Sequence, residues 1–297
     1  MELHQLRYFV ATAHAGNFSR AAEQCCVSQP SLSQAIQKLE RGLGQRLFDR
    51  LGRKALLTDA GRLLLERASA ILAAVDDACQ RVKDFDQLAD GTLAVGAIPT
   101  VAPYLLPDAL KGFLRLCPKV ELTVHEDLTR HLLEAVAAGE LDLAIVALPI
   151  HDERLTVEVL FSESLLLALP PKHRLLTRRR ITMEDVMDER FILLDEMHCL
   201  GEQILSICKS SGCHRIACRS TQLSTVQQLI GMGQGVSLLP AMSMRTERGA
   251  RLVYRELDSR PFSRTIAADW HRHRYRSIAA ESFLTQLNEL AAAMQGE

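Results

Sequence analysis

No run in this chain approaches the ~18 uninterrupted apolar residues that cross a bilayer, and the opening MELHQLRYFV lacks a basic-then-apolar leader pattern. Both absences point to a cytoplasmic protein. No internal repeat or low-complexity tract is evident. Eight cysteines spread from Cys25 to Cys218 without a dense framework, so reduced thiols are expected rather than structural disulfides. A dinucleotide fingerprint is missing too: Gly231, Gly233 and Gly235 are spaced too loosely and follow the wrong element, so GMGQG reads as a helix-to-strand turn. What remains is an ordinary folded composition. With 297 residues, 47% hydrophobic and 24% charged, the chain is long enough for two domains and a sizeable core.

The net charge of −1 conceals an asymmetry. Residues 1 to 60 carry Arg7, Arg20, Lys38, Arg41, Arg46, Arg50, Arg53 and Lys54 against fewer acids, which favours a polyanionic partner. Leu3, Leu6, Phe9 and Val10 form one helix face, and Gly16, Asn17 and Ser19 break and restart the chain before SRAAEQCC, where Cys25 and Cys26 are expected to pack at the helix pair. Ser28 is placed to cap the next helix, with Gln29 and Pro30 in its first turn. That helix turns Leu32, Ile36 and Leu39 inward and presents Ser31, Ser33, Gln34 and Lys38. Small polar side chains on an exposed helix, followed by a basic hairpin, suit a helix in a DNA major groove with a wing against phosphates. The candidate DNA-binding residues are Ser28, Gln29, Ser31, Ser33, Gln34, Lys38, Arg50 and Arg53.

From Thr58 onward Leu64, Ala68, Ile71, Val75, Ala78 and Val82 recur at spacings of 4, 3, 4, 3 and 4, a coiled-coil seam. Such a narrow seam implies a partner helix, although a long helix packed on its own body gives the same pattern. Beyond Leu88, short runs such as TLAVGAI, VELTVHE, LDLAIVAL, SLLLALP and FILLD alternate with helical stretches such as HLLEAVAAGE, which argues for parallel α/β layers. GVSLLP, LVYREL and RTIAADW follow, then a closing helix from Arg276 to Met294.

The richest chemistry lies at MHCLGEQILSIC. Leu200, Ile204 and Cys208 fall on one helical stripe while Gly201, Glu202 and Gln203 fall off it, so Cys208 is expected to be buried. Cys199 begins the helix beside His198, where free N–H groups and a protonatable neighbour favour a thiolate. Nine residues of helix span about 13 Å at ~1.5 Å per residue, whereas a disulfide needs Cα atoms within about 7 Å. A bond between these thiols therefore requires the helix to melt. Three readings stand: a two-state thiol switch, two small buried hydrophobes, or a metal site drawn from His198, Cys199, Cys208, Cys213, His214 and Cys218. Gaps of eight, four and four residues between those cysteines fit zinc poorly.

The run within residues 3 to 65, LRYFVATAHAGNFSRAAEQCCVSQPSLSQAIQKLERGLGQRLFDRLGRKALLTDAGRLLL, resembles the winged helix-turn-helix of LysR-type transcriptional regulators. The resemblance implies an α/β protein with an N-terminal winged helix-turn-helix (1–58), a coiled-coil linker helix for dimerisation (59–87) and a C-terminal periplasmic-binding-protein-like effector domain (88–297). That domain would comprise two α/β subdomains, 88–162 with 264–297 and 163–263. Within the family, MHCLGEQILSIC resembles the redox switch of OxyR-type hydrogen-peroxide sensors. By that resemblance Cys199 is the peroxidatic thiol and Cys208 the resolving one. Thr100, Thr129, His198, Glu202 and Arg264 then bind peroxide and stabilise the departing hydroxide. Met197 stands where many such sequences have glycine, and Gly201-Glu202 where they have Arg-Asp, so peroxide sensitivity is expected to differ. Cys213 and Cys218 are competing resolving thiols. The implied protein is not an enzyme, needs no metal or other cofactor, and acts as a homo-oligomer, a dimer of dimers, on pseudo-palindromic double-stranded DNA with RNA polymerase as a further partner. The alternative is a LysR-type regulator that binds a small organic effector in the interdomain cleft.

Overall fold

The computed structural model describes residues 1–51, 54–86, 91–212, 215–246, 252–258 and 262–295. Arg53, Cys213 and His214, all singled out above, lie outside the described residues, as do the side chains of Arg50 and Lys54. Contacts divide the chain into two compact units, Met1–Asp86 with Ala138–Glu140, and Gln87–Ala137 with Leu141–Glu297.

The first unit contains α1 (Leu3–Ala15), α2 (Phe18–Gln24), α3 (Gln29–Leu43), the antiparallel pair β1 (Phe48–Leu51) and β2 (Lys54–Leu57), and the 28-residue α4 (Asp59–Asp86). Its boundaries follow from local chemistry. The Asn17 carboxamide oxygen accepts from the Ser19 and Arg20 N–H groups at the start of α2. The Ser28 hydroxyl accepts from the Ser31 N–H at the start of α3, and Gly44 in the left-handed conformation ends that helix. Cys26 is exposed at φ 53°, in the turn that closes α2. This corrects the expectation that it packs with Cys25. Leu6, Phe9, Ala21, Leu32, Ile36, Leu39 and Phe48 form the core. Glu40 reaches from α3 to accept the Leu47 and Phe48 N–H groups, which anchors the first wing strand to the helix before it.

The second unit contains β3 (Thr92–Ala97), α5 (Ala102–Leu116), β4 (Glu121–Glu126), α6 (Thr129–Ala138), β5 (Leu143–Ala147), β6 (Leu155–Leu169), α7 (Met183–Val186), β7 (Phe191–Leu194), α8 (Cys199–Ser210), β8 (Ile216–Ser220), α9 (Leu223–Gly231), β9 (Ser237–Pro240), β10 (Val253–Arg255), β11 (Ser263–His271) and α10 (Ile278–Gln295). Sheet order is β10-β6-β11-β5-β3-β4, with β9 also paired to β6 and a separate parallel pair β7-β8. The layers are mixed rather than parallel throughout. Among the described strand pairs, β3-β4, β3-β5 and β7-β8 run parallel and the rest antiparallel, because β6 and β11 are long strands paired antiparallel to each other instead of feeding crossover helices.

Two hydrophobic cores result. One gathers Val95, Phe113, Ile145, Phe161, Ile266 and Phe283; the other gathers Leu167, Ile192, Ile204, Val226 and Leu238. Strand β6 threads both, contributing Phe161 to the first and Leu165 to the second. Elements near residues 161–165 and 264 thus join the two cores, and the candidate site lies there.

Buried in the same sheet is a carboxyl that the core does not satisfy. Asp269 of β11 stands opposite Ala144 of β5 and Val157 of β6, fully buried, and neither carboxyl oxygen has a hydrogen-bond partner among the described residues. Burial, reinforced by the nearby Asp152 carboxylate, pushes its pKa up to about 8. The folded chain therefore keeps a proton there that the unfolded chain releases near pH 4. Stability contributed by this neutral acid is full below pH 4, declines as pH rises by at most about 1.4 kcal/mol per unit, and levels off above pH 8. Asp269→Asn does not titrate. The melting-temperature gap between Asp269→Asn and wild type is expected to widen in the variant's favour from pH 5 to pH 8 and then hold constant; a gap independent of pH would contradict a neutral Asp269.

Candidate functional site

Helix α8 begins at Cys199 with His198 as its N-cap. The turn before it is held by Asp195, whose carboxylate accepts the Met197 N–H at 3.0 Å and whose carbonyl accepts the His198 N–H at 3.1 Å. Leu200, Ile204, Leu205 and Cys208 face the second core, where Cys208 is only 2% exposed. Cys199 is half-buried and packs instead against the first core. Nine residues at about 100° each turn the helix by roughly two and a half revolutions, so the two thiols lie on opposite faces. None of the described cysteines, these two included, is in a disulfide.

One polar side chain meets this helix, and a second polar group lies on the strand to which Gln203 ties it. The Thr129 hydroxyl, at the start of α6, donates to Cys199 Sγ at 3.9 Å, so an oxygen-bearing side chain of the first core meets the thiol directly. The second group centres on Arg264. Its Nε donates to Glu163 Oε1 at 2.7 Å, Nη1 to the Thr100 hydroxyl at 2.8 Å, and Nη2 to the Thr100 carbonyl at 3.0 Å. Tyr104, packed on both cores, stands beside this group. Burial pushes its phenol pKa up, Arg264 opposing and Glu163 adding to the shift, so the hydroxyl keeps its proton.

Structure and expectation differ over several residues. His198 is buried, but no side-chain bond to Cys199 is present among the described residues, and the N–H of the exposed Glu202 donates to the His198 carbonyl. Cys218 lies half-buried in β8 against the second core. Gly201, read as lying off the buried stripe, is buried: a side chain there would meet the Asp195 carbonyl at 2.2 Å and that of Leu194 at 2.6 Å. Gln203, also read as off the stripe, donates to the Ser263 carbonyl at 2.8 Å and ties α8 to the strand that carries Arg264. Sequence reasoning missed Glu163, Tyr104 and Met242. Glu163 at the centre of the polar run Ser162-Glu163-Ser164, between the apolar stretches 159–161 and 165–169 of β6, was the available signal for the first.

The first unit presents Ser28, Gln29, Ser31, Gln34 and Lys38 on the exposed face of α3. Ser33 is a correction. It is buried, because it sits on the shoulder of the Leu32-Ile36 stripe, where the small side chain fits against the neighbouring helices. Lys38 also reaches Glu2 at 3.7 Å, an exposed pair of little strength. Along α4, Leu64 and Ala68 are taken up by their own core, Ala68 completely. Val75 is half-buried, while Ile71, Ala78 and Val82 face outward, Val82 being 75% exposed. A partner helix is therefore left only the later part of the expected seam.

The packing at Gly201 makes a prediction. Gly201→Ala forces the start of α8 away from the end of β7, and overpacking of this kind typically costs about 1–3 kcal/mol. A lowered melting temperature with faster alkylation of Cys199 is expected; an unchanged melting temperature would show that the helix start does not depend on this contact.

Comparisons with known proteins agree with this geometry. Residues 3–62 match the family described as "Bacterial regulatory helix-turn-helix protein, lysR family", and residues 86–292 match "LysR substrate binding domain". The chain is 39% identical over 249 residues to a "Hydrogen peroxide-inducible genes activator" of Pectobacterium carotovorum subsp. carotovorum, an alignment covering 84% of this chain and 82% of that one. Among solved structures, full-length OxyR C199D from Pseudomonas aeruginosa superposes with TM-score 0.81 at 30% identity, covering 97% of this chain and 94% of that one. An OxyR cysteine mutant from Corynebacterium glutamicum with hydrogen peroxide bound gives TM-score 0.62 at 32% identity, covering 99% and 96%. A winged helix-turn-helix unit, a two-core α/β unit and these relatives together show that the chain belongs to the LysR family of transcriptional regulators, in its OxyR-like group.

Proposed function

We propose that this regulator senses hydrogen peroxide through Cys199 and answers by forming a Cys199-Cys208 disulfide. The observation that carries the reading is the position of Cys199. It heads a helix anchored in the second core, while its own sulfur packs on the first core beside the Thr129 hydroxyl. In the first step the Cys199 thiolate attacks one peroxide oxygen: an S–O bond forms, the O–O bond breaks, and the departing hydroxide takes a proton to leave as water. In the second the Cys208 thiol displaces that hydroxyl as water, so an S–S bond replaces the S–O bond. Sulfur is oxidised, peroxide is reduced, and no further co-reactant is needed. Thr100, Thr129 and Arg264 supply donors for the peroxide oxygens. His198 is the nearest protonatable side chain in sequence, and Glu202 stands one turn along from it.

Closure of the bond unwinds α8, pulls Cys199 off the first core and changes how effector domains of neighbouring copies pack. The spacing of the DNA-reading helices changes with it. Ser28, Gln29, Ser31, Gln34, Lys38, Arg50 and Arg53 form the DNA-facing set, and the outward residues of α4, Ile71, Ala78 and Val82, pair the copies. We assign residues 1–58 to DNA binding, 59–87 to the linker, and 88–162 with 264–297 and 163–263 to the two effector subdomains. The working form is a cytoplasmic dimer of dimers that contacts RNA polymerase and turns over no substrate. No described helix is long and apolar enough to cross a membrane.

The test uses reduced full-length protein, near-stoichiometric peroxide, alkylation of remaining thiols, and footprinting on a fragment selected from random DNA for binding. A Cys199-Cys208 crosslink with a changed footprint is expected in wild type, and neither in Cys199→Ser. An identical footprint change in Cys199→Ser would overturn the proposal, and a crosslink to Cys213 or Cys218 would reassign the resolving thiol.

A further inference from the structure

Arg264 and Glu163 stand directly opposite each other on β11 and β6, in register and on the same side of the sheet. Both are buried, the guanidinium side chain to 1% exposure and the carboxylate to 6%. A guanidinium only donates hydrogen bonds, so the Thr100 hydroxyl oxygen must accept from Nη1, and the hydroxyl's own proton is left to donate elsewhere. No described residue accepts that proton. Thr100 is thereby set as a donor by Arg264, in a position shielded from water.

Arg264 in turn depends on Glu163. Oε1 accepts from Nε and lies 2.7 Å from Nη2 as well, while Oε2 accepts the Met242 N–H at 3.0 Å. Held on both oxygens, the carboxylate cannot rotate, and the plane of the guanidinium is fixed with it. Met242 closes the remaining side, its Sδ 3.8 Å from Nη2.

We infer that Glu163 is a positioning residue for the peroxide reaction: by clamping Arg264 between the Met242 backbone and Thr100, it keeps the Thr100 hydroxyl pointed as a donor toward the departing oxygen. The inference rests on the peroxide-sensing reading above. Glu163 touches neither the thiol nor the peroxide in this scheme; it acts through Arg264 and Thr100. In Glu163→Gln the amide offers one acceptor and one donor, so either the guanidinium or the Met242 N–H meets a donor. In Glu163→Asp the charge stays but the reach shortens.

The experiment compares two reactions of Cys199 in the full-length protein: oxidation by hydrogen peroxide, whose leaving oxygen needs a donor, and alkylation by iodoacetamide, whose leaving iodide does not. Losing one aligned donor at a developing oxyanion lowers a rate by about 10²–10³-fold, and a misaligned one by roughly 10–100-fold. Glu163→Gln is expected to slow oxidation by roughly 10–100-fold while leaving alkylation within about twofold, with partial recovery of the oxidation rate in Glu163→Asp. Thr100→Val supplies the second arm, because Glu163→Gln should add little further loss on that background. Oxidation and alkylation falling together in both Glu163 variants, or no change in either, would overturn the positioning role. Full additivity with Thr100→Val would do the same. If wild-type Cys199 itself is oxidised no faster than an ordinary exposed thiol, the peroxide reading fails instead, and the two failures are told apart by the wild-type rate.

Discussion

Cys199 and Cys208 occupy opposite faces of one twelve-residue helix, each facing a different hydrophobic core, and a covalent bond between them is incompatible with that helix. Much of the second unit is arranged around this constraint. Leu200, Ile204 and Leu205 keep the helix docked, and burying each such side chain contributes about 1.5–3 kcal/mol. Gly201 permits its first turn to lie against the Leu194 and Asp195 carbonyls, and Gln203 ties it to the strand bearing Arg264. A bond that releases Cys199 from the first core must also break these attachments. A local oxidation thus becomes a change in packing, as a switch between two discrete states requires.

Two buried polar sites in the same unit show how differently a low-dielectric interior treats charge. In the Arg264-Glu163 pair both carboxylate oxygens and most guanidinium donors are matched, across strands and to the Met242 and Thr100 backbones. Asp269, five residues along the same strand, has no such partner and is held neutral instead. The first site orients donors at the junction of the two cores. The second is a proton store in the sheet, away from the thiols in sequence and unconnected to the Arg264 group by any described bond.

Helices and strands with regular periodicity were legible before any coordinates. Leu32, Ile36 and Leu39 are buried as their spacing required, Ser28 caps α3, and the Leu200, Ile204, Cys208 stripe faces the core. Thr129 and Cys199 meet, as do Thr100 and Arg264, although 70 and 164 residues separate the members of each pair. Resemblance grouped these residues at one expected site without pairing them; periodicity alone holds no information about either. Glu163 and Gln203 escaped notice for the same physical reason, since their partners are distant in sequence and each residue type is ordinary on a surface. Ser33 and Gly201 were misread because small residues tolerate both faces of a helix, and only the approach of another backbone decides between them. Strand β8 and the first half of β6 were not read, their apolar residues being interleaved with Cys, Arg, Thr and Glu.

The most direct test of the central claim is hydrogen exchange over residues 199–210 in the reduced protein and in protein oxidised to the Cys199-Cys208 disulfide. Slow exchange of the α8 amides in the reduced form and loss of that protection throughout the segment on oxidation are the results this account predicts. Full protection of the helix with the disulfide in place would contradict it, because the two sulfurs would then be bonded without the unwinding that the geometry demands.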